Sequence, residues 1–326
     1  MIYNVFLAKA RLINSDLKGM VIITDINIRI PHPHELEGLK KIWQSCFSAE
    51  DMILFFSYFY NPELCRVAIY DNKPVAMGFL IPVGNLIDST RRNHPCAHIY
   101  ALATLPMFRG RGFASAIVEQ LINAGVSFGY AAIALRPSED SLFEYYKNNS
   151  PFCDWFYYVE RFYERNDITP SVCSGIKNAV EISKISAEKY ADLRKIMLEK
   201  YLPDGSCYIE MSAHALRYQE EICAIYGGGL YQAKLNGGFA LLTVELHPDK
   251  IVRVKEMLTP ADYENNILSG ISRIYPAKQY MLRTPVCDIA NAADVKKFAM
   301  LSILPGITDI ITSADNSAPW CGLAFD

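Results

Sequence analysis

The sequence predicts an α/β protein of the α+β type, built from two units of similar order, and three observations carry that prediction. Runs with strand alternation and runs with helical spacing interleave along the chain. Two hairpin signals, Asp71-Asn72-Lys73-Pro74 and Asn236-Gly237, each sit between alternating runs. The order of elements repeats after a break over 164–178, in a chain of 326 residues that is longer than most single cores.

Taken in order, VIITDINIRI (21–30) alternates as a strand, HELEGLKKIWQSCF (34–47) has helical spacing, and residues 50–60 read as a buried aromatic helix. CRVAIYDNKPVAMGFLI (65–81) gives two strands around the first turn, and HIYALATL (98–105) a third. In the helix that follows, Ile117, Val118, Leu121 and Ile122 share one face. AAIAL (131–135) is a short buried strand, and the next helix is expected from Ser138, an N-cap residue type followed by Glu139 and Asp140 at the positive end of the helix dipole. Residues 164–178, ERNDITPSVCSGIKN, lose periodicity and read as a linker. Beyond it come the helix SAEKYADLRKIMLEKY (186–201), the hairpin GLYQAKLNGGFALLTVEL (229–246), the strand KIVRVKEML (250–258), a helix from about Pro260 and the strand QYMLRTP (279–285). The order matches the first half although residue identity does not, which points to a degenerate internal duplication.

Composition narrows the function classes. A net charge of −3 gives no global pull toward nucleic acid or an anionic membrane, so any basic site is local. Nine scattered cysteines without a C-x-x-C pair fit reduced thiols in a cytoplasmic protein better than a disulfide or zinc framework. MILFFSYFY (52–60) is half the length of a membrane span. The first nineteen residues show no basic n-region and no A-x-A-like site, so no signal peptide is expected, and translation from Met1 or from Met20 both stay open.

The stretch that carries chemistry is HIYALATLPMFRGRGFASAIVEQLINAG, where a strand runs through Arg109-Gly-Arg-Gly-Phe-Ala114 into a helix. A helix N-terminus presents unpaired N–H groups and positive dipole, glycines let a phosphate approach the backbone, and arginines add charge-assisted bonds. This is a pyrophosphate cradle. A P-loop would require a lysine after Gly112, and a dinucleotide fingerprint would require a third glycine or alanine where Ser115 stands and an acid after the next strand. Neither is met. Arg109-x-x-Gly112-x-Ala114, between a strand ending ATLP and a helix, resembles the acyl-CoA loop of the GNAT (Gcn5-related) N-acetyltransferases. The resemblance takes in the element order over 21–163 and SLFEYYKNNSPF (141–152), although Ser150-Pro151 stands where a glycine usually precedes the final phenylalanine. The two-part layout and the terminal APWCGLAFD are similar to the tandem core of the Eis-like acetyltransferases.

The resemblance implies two GNAT-like units, each a mixed, mostly antiparallel sheet flanked by helices, the second degenerate. Their bounds are an N-terminal extension over 1–20, an acyl-CoA-binding unit over 21–163, the linker over 164–178 and a second unit over 179–326. It implies an N-acyltransferase using acetyl-CoA as acyl donor, with no metal. Transfer to a small-molecule or peptide amine is direct, in a ternary complex, because no cysteine sits at a recognisable nucleophile position. Backbone N–H groups of Arg109, Gly110, Arg111, Gly112, Phe113, Ala114 and Ser115 would grip the pyrophosphate, and the strand end at Ala103 and Thr104 would pair with the pantetheine arm. Tyr146, with Tyr145 next, best matches the general acid for the leaving thiolate, although spacing alone places both among core aromatics over Leu142 and Phe143. Alternation puts His98, Tyr100, Leu102 and Thr104 on one face, toward the cleft, where a histidine near pKa 6.5 could accept the amine's proton. Asp326, at the chain end, is a further candidate, and water a third. The second unit either closes the acceptor cleft or mediates homo-oligomerisation.

Weaker stretches read as structure. His32-Pro33-His34 lacks a third metal ligand, Gly227-Gly228-Gly229 precedes a strand and suggests a bend, and Arg91-Arg92 suggests a solvated loop. The alternative function is a non-catalytic acyl-CoA sensor or interaction module, with an NAD enzyme a distant third.

Overall fold

The computed structural model describes residues 27–168, 180–247, 249–286, 294–307, 310 and 318–323. The expected extension over 1–20, most of the expected linker and Asp326 lie outside the described residues.

The first half runs β1 (Asn27–Arg29), α1 (Leu36–Gln44), α2 (Ala49–Tyr58), β2 (Cys65–Tyr70), β3 (Lys73–Ile87), β4 (Asn93–Thr104), α3 (Phe113–Ser127), β5 (Ala132–Leu135), α4 (Ser141–Asn149) and β6 (Cys153–Glu164). The second runs β7 (Glu181–Lys184), α5 (Ala187–Tyr201), β8 (Tyr208–Met211), α6 (Ala213–Ile225), β9 (Gly229–Leu235), β10 (Gly238–Leu246), β11 (Ile251–Leu258), α7 (Glu264–Ile274), β12 (Gln279–Thr284) and β13 (Val295–Ile303). Local chemistry accounts for many boundaries. Ser48, Ser186 and Ser212 cap α2, α5 and α6 through their hydroxyls. Asp71 and Asn72 both have positive φ, 49° and 56°, as a two-residue hairpin turn of the primed type requires. One expected boundary moves: α4 starts three residues after Ser138, with Asp140 in the N-cap place, because Leu142 and Phe143 close tight turns onto the Glu139 and Asp140 carbonyls.

The sheet explains how the halves join. Its order is β1-β2-β3-β4-β5-β13-β6-β12-β11-β10-β9-β7, with β8 paired to β3. Read from either end, the pattern is the same: antiparallel neighbours up to a parallel pair, β4 with β5 and β11 with β12, followed by an antiparallel partner. The last strand of each half pairs into the other half, β13 against β5 and β6 against β12, and the two meet antiparallel at the centre. One continuous mixed, mostly antiparallel sheet results. The helices α1, α2, α5 and α6 share a core on one face, through residues such as Trp43, Phe55, Tyr190 and Tyr218. On the other face α3 and α4 cover one core and α7 another.

A polar cluster inside the shared core ties the second half together. Glu256, with no exposed surface, accepts from Tyr190 Oη (3.0 Å), Arg194 Nε and Nη2 (2.9 Å each) and Trp320 Nε1 (2.9 Å). Arg194 also donates from Nη1 to the Ile209 carbonyl (2.8 Å) and from Nη2 to the Cys321 carbonyl (3.1 Å). Each guanidinium nitrogen and each carboxylate oxygen of the pair thereby has a partner, the condition under which burial is tolerable. It pins α5, β8, β11 and the segment around Trp320 to one another.

Candidate functional site

The loop foreseen as a cradle lies at the end of β4. Leu105 N–H bonds the Val75 carbonyl (2.9 Å), a 3-10 turn over Pro106–Phe108 follows, and Gly110 and Gly112 take φ of +73° and +82°. Gly112 occupies the N-cap place of α3, and no side chain caps the helix there. A Cβ on Gly110 would meet nothing within 4 Å, so the loop is open above it. The Arg109 N–H is spent on the Pro106 carbonyl (3.3 Å), and the first N–H groups of α3 have no acceptor within the helix. Its guanidinium bonds the Thr104 carbonyl (3.2 Å) and braces the loop to the strand, while that of Arg111 stacks 5.2 Å from the Phe108 ring centroid. These groups suit a phosphate.

The second half lacks this arrangement. At the equivalent helix end, Glu264 stands in the first turn of α7 and accepts from Arg161 (2.9 Å) and from the Tyr163 hydroxyl. A carboxylate already occupies the positive end of that dipole.

β4 and β5 pair in parallel only over Cys96–Ile99 and Ala132–Leu135. Beyond Ile99, β4 carries a bulge: Met77 pairs with Ala103 but Phe79 with Tyr100, and Ala101 has φ +48°. The bulge corrects the expected alternation. Leu102 packs with Ile99, Ile117 and Leu121 on the α3 face, whereas Tyr100, Ala101 and Ala103 join the shared core on the other. β5 ends at Leu135, so β4 runs on to Thr104 without that parallel partner.

Tyr145 and Tyr146 sit on α4 with ring centroids 5.3 Å apart. The Tyr145 hydroxyl meets Ser115 Oγ at 2.6 Å in the first turn of α3. Tyr146 is buried in the α3 core, and burial, with Tyr145 beside it, pushes its pKa well above the usual phenol range, so the hydroxyl keeps its proton. His98 is 3% exposed in the middle of β4, between Ile81 and Ala134. Burial, and then the charge of Arg136, push its pKa down to about 3, so the value near 6.5 expected of a proton acceptor is not kept.

On the shared-core face the strands line two adjoining cavities, of about 220 and 370 Å³, which have Arg253, Met281 and Arg283 in common. The first adds Asp51, Tyr100, Tyr226, Glu245 and Lys255, and the second Arg136, Tyr158 and Glu160. Lys255 bonds Glu245 at 2.9 Å with both nearly buried, and the Tyr226 hydroxyl reaches Asp51 at 3.3 Å. Sequence reading missed this charged lining. A signal was available, since Arg253, Lys255 and Arg283 interrupt otherwise apolar strands, and charges are rarely buried without a task or a partner.

The weaker stretches resolve as follows. His32 and His34 stack at 5.6 Å ahead of α1, and among the described residues no group of three or more His, Cys, Asp or Glu could hold a metal ion. Gly228 allows a close strand crossing, because a Cβ there would lie 1.8 Å from the Val244 carbonyl oxygen. Arg91-Arg92 is an exposed loop, as expected, tethered by Arg92 to the buried Asp88 at 3.0 Å and by Arg91 stacking 5.5 Å from the Tyr208 ring centroid. No helix among the described residues is long and apolar enough to cross a membrane.

Comparison with known proteins agrees with the loop and the element order. Residues 35–148 match the model of the acetyltransferase (GNAT) family. The fold matches a GCN5-related N-acetyltransferase from Kribbella flavida, with TM-score 0.61 and 15% identity over 85% of this chain and 71% of that one. It also matches a probable N-acyltransferase from Enterococcus faecalis V583, with TM-score 0.62 and 16% identity over 86% and 73%. Eis1 from Mycobacterium abscessus matches with TM-score 0.58 and 13% identity over 86% and 73%. Among curated protein sequences nothing matches. The chain thus has the GNAT acetyltransferase fold, with the family's own sequence pattern over 35–148.

Proposed function

We propose that the chain is an N-acyltransferase that moves an acyl group, most simply acetyl, from CoA directly to a primary amine. One observation carries the reading: directly after β4 an open glycine loop runs into α3, whose N-cap place is held by Gly112 with no side chain capping the helix. The pyrophosphate would lie on the donors from Gly110 to Ser115, and the pantetheine arm along Ala103 and Thr104. The amine nitrogen attacks the thioester carbonyl carbon, the carbon–sulfur bond breaks, and the thiolate takes the Tyr146 hydroxyl proton. Tyr146 enters the step protonated, and because burial makes it a weaker acid than a free phenol the transfer requires the thiolate to be held against its hydroxyl. His98 is too weak a base to hold the amine's proton, which passes to water in the cleft.

The palindromic strand order supports two duplicated units, 21–163 and 179–326, that exchange their last strands, with only the first suited to CoA. A CoA-binding sensor is the second reading, and the weakness of His98 as a base favours it. CoA release from acetyl-CoA over a panel of amines, for wild type and Tyr146→Phe, separates the two. Amine-dependent release that falls by about 10² in the variant, with acetyl-CoA affinity kept, supports transfer. Tight acetyl-CoA binding without amine-dependent release supports the sensor.

A further inference from the structure

Because β4 and β5 pair in parallel, their carboxyl ends lie toward one end of the sheet. The chain leaving β4 enters α3 through the glycine loop, the chain leaving β5 enters α4, and both helices pack on the same face. A side-chain hydrogen bond joins the two helices, between Tyr145 Oη and Ser115 Oγ at 2.6 Å. Ser115 is the third residue of α3, in the turn whose N–H groups have no acceptor within the helix. Neither hydroxyl has a second partner among the described residues. Two hydroxyls carry two hydrogens and share one contact, so one hydrogen is left for another acceptor. The phenol is the stronger acid and donates, which leaves the Ser115 hydrogen. Tyr145 is steadied by the buried Tyr146, whose ring meets it edge to face at 5.3 Å. The second half shows what such a helix end accepts. In the first turn of α7 the Glu264 carboxylate takes the Tyr163 hydroxyl and the Arg161 guanidinium. The first turn of α3 carries no acidic residue, so an anion there comes from a bound molecule.

We propose that Tyr145 is a positioning residue for the acyl donor: its hydroxyl donates to Ser115 Oγ, and Ser115 donates its own hydrogen to a pyrophosphate oxygen of CoA at the start of α3. A bond to an ionised oxygen is the stronger kind, and successive bonds in a chain polarise one another. Tyr145 therefore both aims the Ser115 hydroxyl and strengthens it as a donor. Recognition of the donor then extends beyond backbone N–H groups to two side chains, one of them on α4 beside Tyr146. The role differs from that of the general acid, since Tyr145 acts on the phosphates through Ser115 and not on the thiolate. The inference rests on the reading of the glycine loop as the donor site.

The test is calorimetric titration of CoA into wild type, Ser115→Ala, Tyr145→Phe and the double variant. Ser115→Ala loses a bond to a charged group and binds at least about 10-fold more weakly. Tyr145→Phe keeps the ring and binds about 3-fold more weakly. The double variant binds as Ser115→Ala does, because Tyr145 acts through Ser115. A bond that merely tied α4 to α3 would leave the phosphates of the ligand undisturbed, so phosphorus NMR of the saturated complexes gives a second readout. A pyrophosphate resonance of bound CoA moves in both single variants, while that of the ribose phosphate stays in place. Wild-type affinity in Ser115→Ala or Tyr145→Phe, factors that multiply in the double variant, or unmoved pyrophosphate resonances overturn the proposal. A wild type that does not bind CoA removes the donor reading and this role together, whereas wild-type binding that the variants leave intact removes this role alone.

Discussion

Glu256→Gln tests whether the buried cluster holds the second half together. The substitution keeps the side chain's size and removes its charge. Arg194, 2% exposed, then keeps two carbonyl contacts but loses the carboxylate that meets its Nε and Nη2 at 2.9 Å, and Tyr190 and Trp320 compete for one remaining oxygen. Breaking a buried pair on one side costs about 3–5 kcal/mol, because an uncompensated charge stays inside. Against a total of about 5–15 kcal/mol for a typical domain, that is a large share. Urea unfolding followed by tryptophan fluorescence is a suitable assay, since Trp320 belongs to the cluster. The double variant Arg194→Met/Glu256→Leu removes both charges and is expected to recover more than half of the loss. A loss below about 1 kcal/mol in Glu256→Gln, or a double variant as unstable as the sum of its parts, would refute the reasoning.

Glycines with similar dihedral angles separate strain from collision. Gly110→Ala, at φ +73° with open space above, costs about 1–2 kcal/mol, whereas Gly322→Ala, at φ +76° with its Cβ 1.9 Å from Glu256 Oε1, costs clearly more in the same unfolding assay. His98 gives a pH dependence. Its folded pKa, about 3, lies below the ordinary 6.5, so the unfolded chain binds more protons in that window and stability falls as pH is lowered through it. Its share between pH 8 and pH 5 is about 2 kcal/mol, read as the difference in slope between wild type and His98→Asn. The same value predicts that any inflection of the transfer rate between pH 6 and 8 survives in His98→Asn.

Much of the local structure was legible because local chemistry decides it. The helix expected at 186–201 forms, Asn236-Gly237 turns the second hairpin, and the aromatic run expected to be a buried helix forms α2, of which only Phe55, stacked 4.8 Å from Trp43, is buried. Elements whose partners are remote were missed. β6 and β13 pair across more than 130 positions of sequence, and nothing near CDWFYYVERFYE or VKKFAMLSI announces that each completes the other half's ladder. β8 and α6 also went unseen, since β8 is four residues long and finds its partner in β3. At the site, the loop could be read because its glycines and arginines are contiguous. The faces of β4 could not, because one bulged residue, Ala101, reverses the alternation beyond it. The environment of His98 depends on Arg136, which a different strand brings near.

The central claim is that the loop before α3 binds the acyl donor. The most direct measurement is a calorimetric titration of acetyl-CoA into wild type and into Arg109→Glu/Gly112→Asp, with NAD as the control ligand. The account predicts saturable binding of acetyl-CoA by the wild type, at least about 10-fold weaker binding by the loop variant, and none of NAD. Equal affinity in the two proteins, or no binding by the wild type, would contradict it.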